Sequence, residues 1–191
     1  MLIDHFTTIL PVKNEVDNLS ILLPYLTKTV GELIVIDGHS NDGSFEFAQN
    51  YTEHVYQDKR LGKGQALRQA IEIASKPVIV FIDADLSHNP SDIKKLVSPI
   101  FAGLVDHVTG SRMIAGSDEL HGDLNKLLRM IGSDIITLGI NYRFGVKLTD
   151  SQNGFRSIRT DVARALNLKE IINTIEQEMI MRTLLNHYLI T

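Results

Sequence analysis

The chain has 191 residues, 43% of them hydrophobic and 22% charged, with a net charge of -4. That length supports one sizeable core, and the charge balance supplies no basic field for nucleic acid. Cysteine is absent, which excludes disulfides, thiolate metal sites and a thiol nucleophile and is compatible with the cytosol. Met1-Leu2-Ile3-Asp4-His5 lacks the features of a secretory signal, and no run approaches the about 18 apolar residues of a membrane span.

Short apolar runs alternate with helical patterns. Phe6-Thr7-Thr8-Ile9-Leu10 reads as a strand ending at Pro11, and residues 15–29 as a helix with Leu19, Leu22, Leu23 and Leu26 on one face. Leu33-Ile34-Val35-Ile36 reads as a second strand; Asp42-Gly43 begins a helix towards Tyr51, and Val55-Tyr56 a short third strand. Residues 62–75 are helical, with Leu67, Ala70, Ile71 and Ala74 at core spacing, and Pro77 to Ile82 is the length of a buried strand. Asn89-Pro90 starts a helix to about Phe101, Val105 to Gly110 reads as a strand, and residues 123–140 as a longer amphipathic helix. The last third is mixed, with a helix through Ile172, Ile175 and Met179, and Tyr188-Leu189-Ile190-Thr191 reads as a strand just beginning. The expectation is a single α/β domain over residues 1–191 with a mainly parallel sheet and further chain beyond its C-terminus.

In such sheets ligands bind at the carboxyl ends of the strands. Asp83-Ala84-Asp85 follows the Pro77–Ile82 run, and two carboxylates there are costly unless something positive neutralises them. A divalent cation carrying a diphosphate would do so, because Mg²⁺ is held by one or two carboxylates plus substrate phosphates; a capping and a solvated carboxylate are the plain alternative. Pro11-Val12-Lys13-Asn14-Glu15 contains no glycine, so neither the dinucleotide-binding cradle nor the glycine-rich opening of sugar nucleotidyltransferases is present. Asp37 lies at a strand tip, where it can accept hydrogen bonds from a base or ribose, whereas Asp42 reads as a helix cap. Gly62-Lys63-Gly64 opens a helix and offers backbone N–H groups and a point charge to a phosphate. Arg112 can fork a diphosphate oxygen or sugar hydroxyl, or form a surface ion pair. The seven histidines have no metal-ligand spacing on a helix, which argues against zinc.

Six blocks in this order resemble family 2 inverting glycosyltransferases of the GT-A fold, especially the polyprenyl-phosphate hexose synthases such as dolichyl-phosphate mannose or glucose synthases. They are residues 10–15, 35–44, 62–64, 83–90, 110–112 and Asp150-Ser151-Gln152-Asn153-Gly154-Phe155-Arg156. The resemblance implies a Rossmann-like GT-A fold, a nucleoside-diphosphate hexose donor, a polyprenyl or dolichyl phosphate acceptor, Mg²⁺ or Mn²⁺, and work in the cytoplasm or at the cytoplasmic face of a membrane. By it, Pro11, Glu15 and Asp37 line the base and ribose pocket, and Asp83 and Asp85 are the DxD pair, with Asp85 the principal metal ligand. Arg112 touches the donor, Arg129 and Arg156 hold the acceptor phosphate or donor diphosphate, and Asp150 faces the reacting centre. Gly38 and Ser87 depart from the pattern, standing where an aspartate and a glutamine are common.

An alcohol acceptor needs a general base, for which Asp150 is the candidate; a phosphate with a second pKa of about 6 is already anionic and needs arginines to hold it, with Asp150 then orienting Arg156. The apolar stripe of residues 123–140 can flank a lipid or belong to the core. Glu176 and Glu178 face different sides of their helix, one supporting Arg156 or the acceptor and the other solvated. The rival readings are a saccharide acceptor in cell-surface polysaccharide synthesis, a sugar-1-phosphate nucleotidyltransferase, and a non-catalytic nucleotide-sugar-binding domain. The chain has no tryptophan and so no QxxRW-type acceptor motif.

Overall fold

The computed structural model describes residues 5–111, 135–171 and 174–191. A six-stranded sheet, ordered β3-β2-β1-β4-β6-β5, runs through the domain. Its strands are β1 (Phe6–Val12), β2 (Glu32–Asp37), β3 (Val55–Gln57), β4 (Val78–Phe81), β5 (His107–Thr109) and β6 (Arg156–Arg159). β1 to β4 pair in parallel, while β6 lies antiparallel to both β4 and β5. Helices α1 (Val16–Thr29), α2 (Ser44–Ala48), α3 (Lys63–Ile73), α4 (Ile93–Phe101), α5 (135–144), α6 (Thr160–Ala165) and α7 (Ile175–Leu185) cover its two faces.

Strands buried on both faces must be apolar at successive positions, and β4 shows the consequence. Val78 and Val80 enter a core with Leu19, Leu23 and Leu26 of α1 and Leu96 of α4, whereas Ile79 and Phe81 enter a second core with Leu67 and Ala70 of α3 and Met179 of α7. A period-two strand thus divides its side chains between two layers.

Several expectations are refined. β1 continues through Pro11 to Val12. Its ladder with β4 ends at the Ile9–Phe81 pair, so the missing N–H of Pro11 falls on the side β4 has left and costs no ladder hydrogen bond. β6 was not anticipated. Asn89 caps as its sequence suggests, accepting the Ser91 N–H at 3.0 Å. The chain end pairs with the outer edge of β5, where Ile190 bridges His107 and the Thr191 N–H donates to the His107 carbonyl at 3.1 Å. Of the expected 123–140 helix, residues 123–134 lie outside the described residues; within α5, Thr137 and Ile140 are buried and Ile135, Ile136 and Leu138 are exposed.

Candidate active site

The four parallel strands end along one edge, and the segments that follow them line a single cavity of about 900 Å³. β1 delivers Pro11, Lys13 and Glu15; β2 delivers Gly38 and His39; β3 delivers Asp58 and Arg60; β4 delivers Asp83 to Asp85; and α3 closes the wall with Gly62, Lys63 and Ala66. Ile36 shares both the α3 face and the cavity wall. Asp37 is one residue further along β2 and turns to the other face, fully buried and off that wall. It accepts the Ser40 N–H at 3.0 Å through Oδ2, while Oδ1 has no partner among the described residues.

The first two loops are stitched together by side chains. Asp42 accepts from the Ser44 N–H at 3.0 Å and from the Val16 N–H at 3.1 Å, the first residues of α2 and α1, while the N-cap positions themselves are Gly43 and Glu15. Hydrogen bonding from Ser44 holds the Asp42 carboxyl below the usual range. Glu15 accepts from the Asn18 amide at 2.6 Å, and its N–H donates to Ser44 Oγ at 2.9 Å. His39, at φ 60°, sits 2.9 Å from the Asp58 carbonyl through Nε2. A carbonyl only accepts, so Nε2 carries the proton.

Asp85 stands on the cavity wall at the end of the β4 loop, and Leu86 follows in the left-handed region at φ 60°. That conformation costs a non-glycine residue about 1 kcal/mol or more, and such strain gathers at functional loops. Burial pushes the Asp85 carboxyl up, but hydrogen bonds from Ser87 and the charges of His88 and Lys63 outweigh it and leave the carboxyl below its ordinary value. The Ser87 N–H donates to Asp85 Oδ1 at 3.0 Å. His88 stacks on Phe155 at 5.0 Å, tying this loop to the segment before β6.

Beneath the cavity lies a ring of charged groups. Lys63 Nζ reaches Asp83 Oδ1 at 2.7 Å and Glu176 Oε1 at 2.9 Å. Arg156, fully buried on β6, donates through Nη1 to the Glu176 carbonyl at 2.8 Å and through Nε to the Asn153 carbonyl at 3.0 Å. Gly154 packs directly on Asp83, and a Cβ there would lie 2.1 Å from Asp83 Oδ2. Burial pulls the Lys63 pKa down, yet the carboxylates of Asp83 and Glu176 raise it above its usual value. Burial lowers the Arg156 pKa against the pull of Glu176, Asp150 and Asp83, and the guanidinium stays protonated.

The structure therefore gathers Pro11, Glu15, Lys63, Asp83 and Asp85 onto one wall and sets Asp37 and Arg156 behind it. Asp150 is buried, accepts the Gln152 N–H at 3.1 Å and acts electrostatically on Arg156 without lining the cavity. Arg112 and Arg129 lie outside the described residues. Of the two glutamates, one of which was expected in solvent, Glu176 takes Lys63, and Glu178 pairs with Arg182 at 2.6 Å and accepts the N–H groups of Lys169 and Glu170. Lys13, His39, Asp58 and Arg60 were given no role by the sequence; the polar residues directly after β3 and before Gly62 were the available signal.

Among the described residues no three His, Asp or Glu side chains cluster as a metal cage. Asp85, anionic and on the wall, instead fits a cation that takes one or two carboxylates and completes its shell with phosphate oxygens.

A mixed sheet whose four parallel strands end beside a carboxylate-bearing loop and a cavity of about 900 Å³ is the arrangement of GT-A glycosyltransferases. Residues 7–167 match the family model "Glycosyl transferase family 2", and the chain belongs to that family. It is 30% identical over 171 residues to glycosyltransferase AglJ of Haloferax volcanii, covering 88% of this chain and 55% of that protein. It is also 30% identical over 177 residues to the undecaprenyl-phosphate mannosyltransferase of Micrococcus luteus, covering 86% of this chain and 70% of the relative. The chain thus spans little more than half of the first of these. Glucosyl-3-phosphoglycerate synthase of Mycobacterium tuberculosis, solved with Mn²⁺, UDP-glucose and phosphoglyceric acid, superposes with a TM-score of 0.75 at 19% identity, covering 96% of this chain and 66% of that one. The same enzyme has been solved with Mg²⁺ and UDP, with a TM-score of 0.73 at 21% identity over 98% of this chain and 68% of that one.

Proposed function

We propose that this domain moves a hexose from a nucleoside-diphosphate sugar to a dolichyl or other polyprenyl phosphate, with inversion at the anomeric carbon. The observation that carries the reading is the anionic Asp85 on one cavity wall with Lys13, Arg60 and Lys63, at the carboxyl ends of parallel strands. The lipid-phosphate acceptor is supported by the name of the Micrococcus luteus relative.

An oxygen of the acceptor phosphate attacks C1 of the hexose from the face opposite the nucleotide. The bond from C1 to the diphosphate oxygen breaks, and its electron pair leaves with the nucleoside diphosphate. Bound Mg²⁺ or Mn²⁺ would supply Lewis-acid neutralisation of that leaving group, with Asp85, and Asp83 beside it, as its protein ligands. Lys63 and Arg112 add positive charge to the diphosphate. Pro11 and Glu15 contact the nucleoside, and Asp37 acts from beneath through the loop it holds at Ser40. Arg129 holds the acceptor phosphate. Arg156 braces the floor, oriented electrostatically by Asp150, and an anionic acceptor needs no general base.

The acceptor places the reaction at the cytoplasmic face of a membrane. No helix among the described residues is long and apolar enough to cross one. Exposed Ile135 and Leu138 give α5 an apolar surface suited to contact with a lipid chain.

The test is transfer of labelled sugar from UDP-glucose, GDP-mannose and related donors to a short polyprenyl phosphate with Mg²⁺ or Mn²⁺. Metal-dependent product that disappears in Asp85→Ala supports the reading. Donor hydrolysis or transfer only to saccharides overturns the acceptor, and pyrophosphate release from a nucleoside triphosphate and a sugar phosphate overturns the reaction.

A further inference from the structure

In the ring beneath the cavity both Asp83 oxygens have close neighbours, although the side chain remains partly exposed on the cavity wall. Oδ1 is taken by Lys63 Nζ at 2.7 Å, and Oδ2 lies so close to Gly154 that no Cβ fits between them. Arg156 gives its hydrogen bonds to the carbonyls of Asn153 and Glu176, so the ammonium of Lys63 is the cation bonded to Asp83 among the described residues. An ammonium and a divalent cation on one carboxylate oxygen repel each other strongly in a partly desolvated site. Lys63 has two other resting places. Glu176 Oε1 already holds it at 2.9 Å, and a diphosphate entering the cavity would lie against the start of α3, which carries Lys63 at its first position.

We propose that Lys63 is a built-in counter-ion that competes with the divalent cation for Asp83 and so makes cation binding depend on donor binding. Without donor, Lys63 neutralises Asp83, and Asp85 is the carboxylate of the pair with no ammonium bonded to it among the described residues. When the diphosphate arrives, Lys63 passes to it while keeping Glu176, and Asp83 Oδ1 becomes free for the cation. Each ligand then favours the other by the same factor. The proposal rests on reading the cavity as a nucleoside-diphosphate sugar site.

The experiment measures Mn²⁺ binding from the spin-resonance signal of free Mn²⁺, with and without UDP, in the whole chain and in Lys63→Met and Lys63→Met/Glu176→Gln. The single variant leaves Asp83 and Glu176 without their shared cation; the double variant removes that repulsion and keeps the test open if the single variant unfolds. Both variants are expected to bind Mn²⁺ without nucleotide on the order of tenfold more tightly than the parent chain, with less enhancement by UDP. Nucleotide-free affinity equal to or weaker than that of the parent in the folded variants overturns the proposal. Failure of the parent chain to bind Mn²⁺ and UDP together overturns the donor-site reading itself, which separates the two failures.

Discussion

Replacing Gly154 by alanine tests how tightly the floor is built. The new Cβ would lie 2.1 Å from Asp83 Oδ2 and 2.9 Å from its Cγ. Bringing the first distance from 2.1 Å to the 3.4 Å of ordinary contact requires a shift of about 1.3 Å. Neither partner yields freely. Asp83 is a short side chain held by Lys63, and the backbone before Gly154 is held by Arg156 through the Asn153 carbonyl. Overpacking of this kind costs about 1–3 kcal/mol of stability. A displacement of about 1 Å at a reacting centre is worth roughly a hundredfold in rate. Gly154→Ala is therefore expected to lower kcat/KM for sugar transfer about a hundredfold and weaken Mn²⁺-dependent UDP binding, while circular dichroism still reports a folded domain. A variant that matches the parent within twofold in both transfer and binding would refute the reasoning.

Three further outcomes follow from the same geometry. His107 is fully buried, bonds Thr183 through Nδ1 at 3.0 Å and leaves Nε2 without a partner among the described residues; burial, with the charge of Arg156, pushes its pKa well below the ordinary value. The unfolded chain then binds the proton first, so urea denaturation should show full stability above about pH 6.5 and a loss of up to about 1.4 kcal/mol per unit below it, a slope that His107→Gln should flatten. Arg164 donates to the carbonyls of Ile71, Glu72 and Ala74 at the end of α3, so Arg164→Ala should cost about 1 kcal/mol and lower Tm by about 2–4 °C in calorimetry. Asp85→Asn keeps an oxygen for the Ser87 N–H and removes the charge; kcat/KM should fall about a hundredfold or more with Tm unchanged, and activity within threefold of the parent would contradict the assignment of Asp85.

The parallel half of the fold was legible because β2 and β4 carry apolar residues on both faces and its helices carry regular core spacing. Asp83-Ala84-Asp85 stood out for the same reason, as charge directly after an apolar run. β6 was hidden because Arg156-Ser157-Ile158-Arg159 carries an arginine at each end and one aliphatic residue; its buried positions include an arginine that satisfies main-chain carbonyls rather than water. The partnership of Lys63 with Glu176 was invisible for a different reason. The two belong to α3 and α7, brought together by packing on one sheet face, and no local spacing encodes it. Asp37 shows the limit of reading strand tips without their phase, since one residue decides whether a side chain faces the cavity or the opposite core.

The stereochemistry and carboxylate dependence of the product test the central claim most directly. Proton NMR of the lipid-linked sugar formed from an α-linked donor should show the β anomer, produced with Mn²⁺ by the parent chain and absent with Asp85→Ala. An α-linked product, or one formed equally well by the variant, would contradict it.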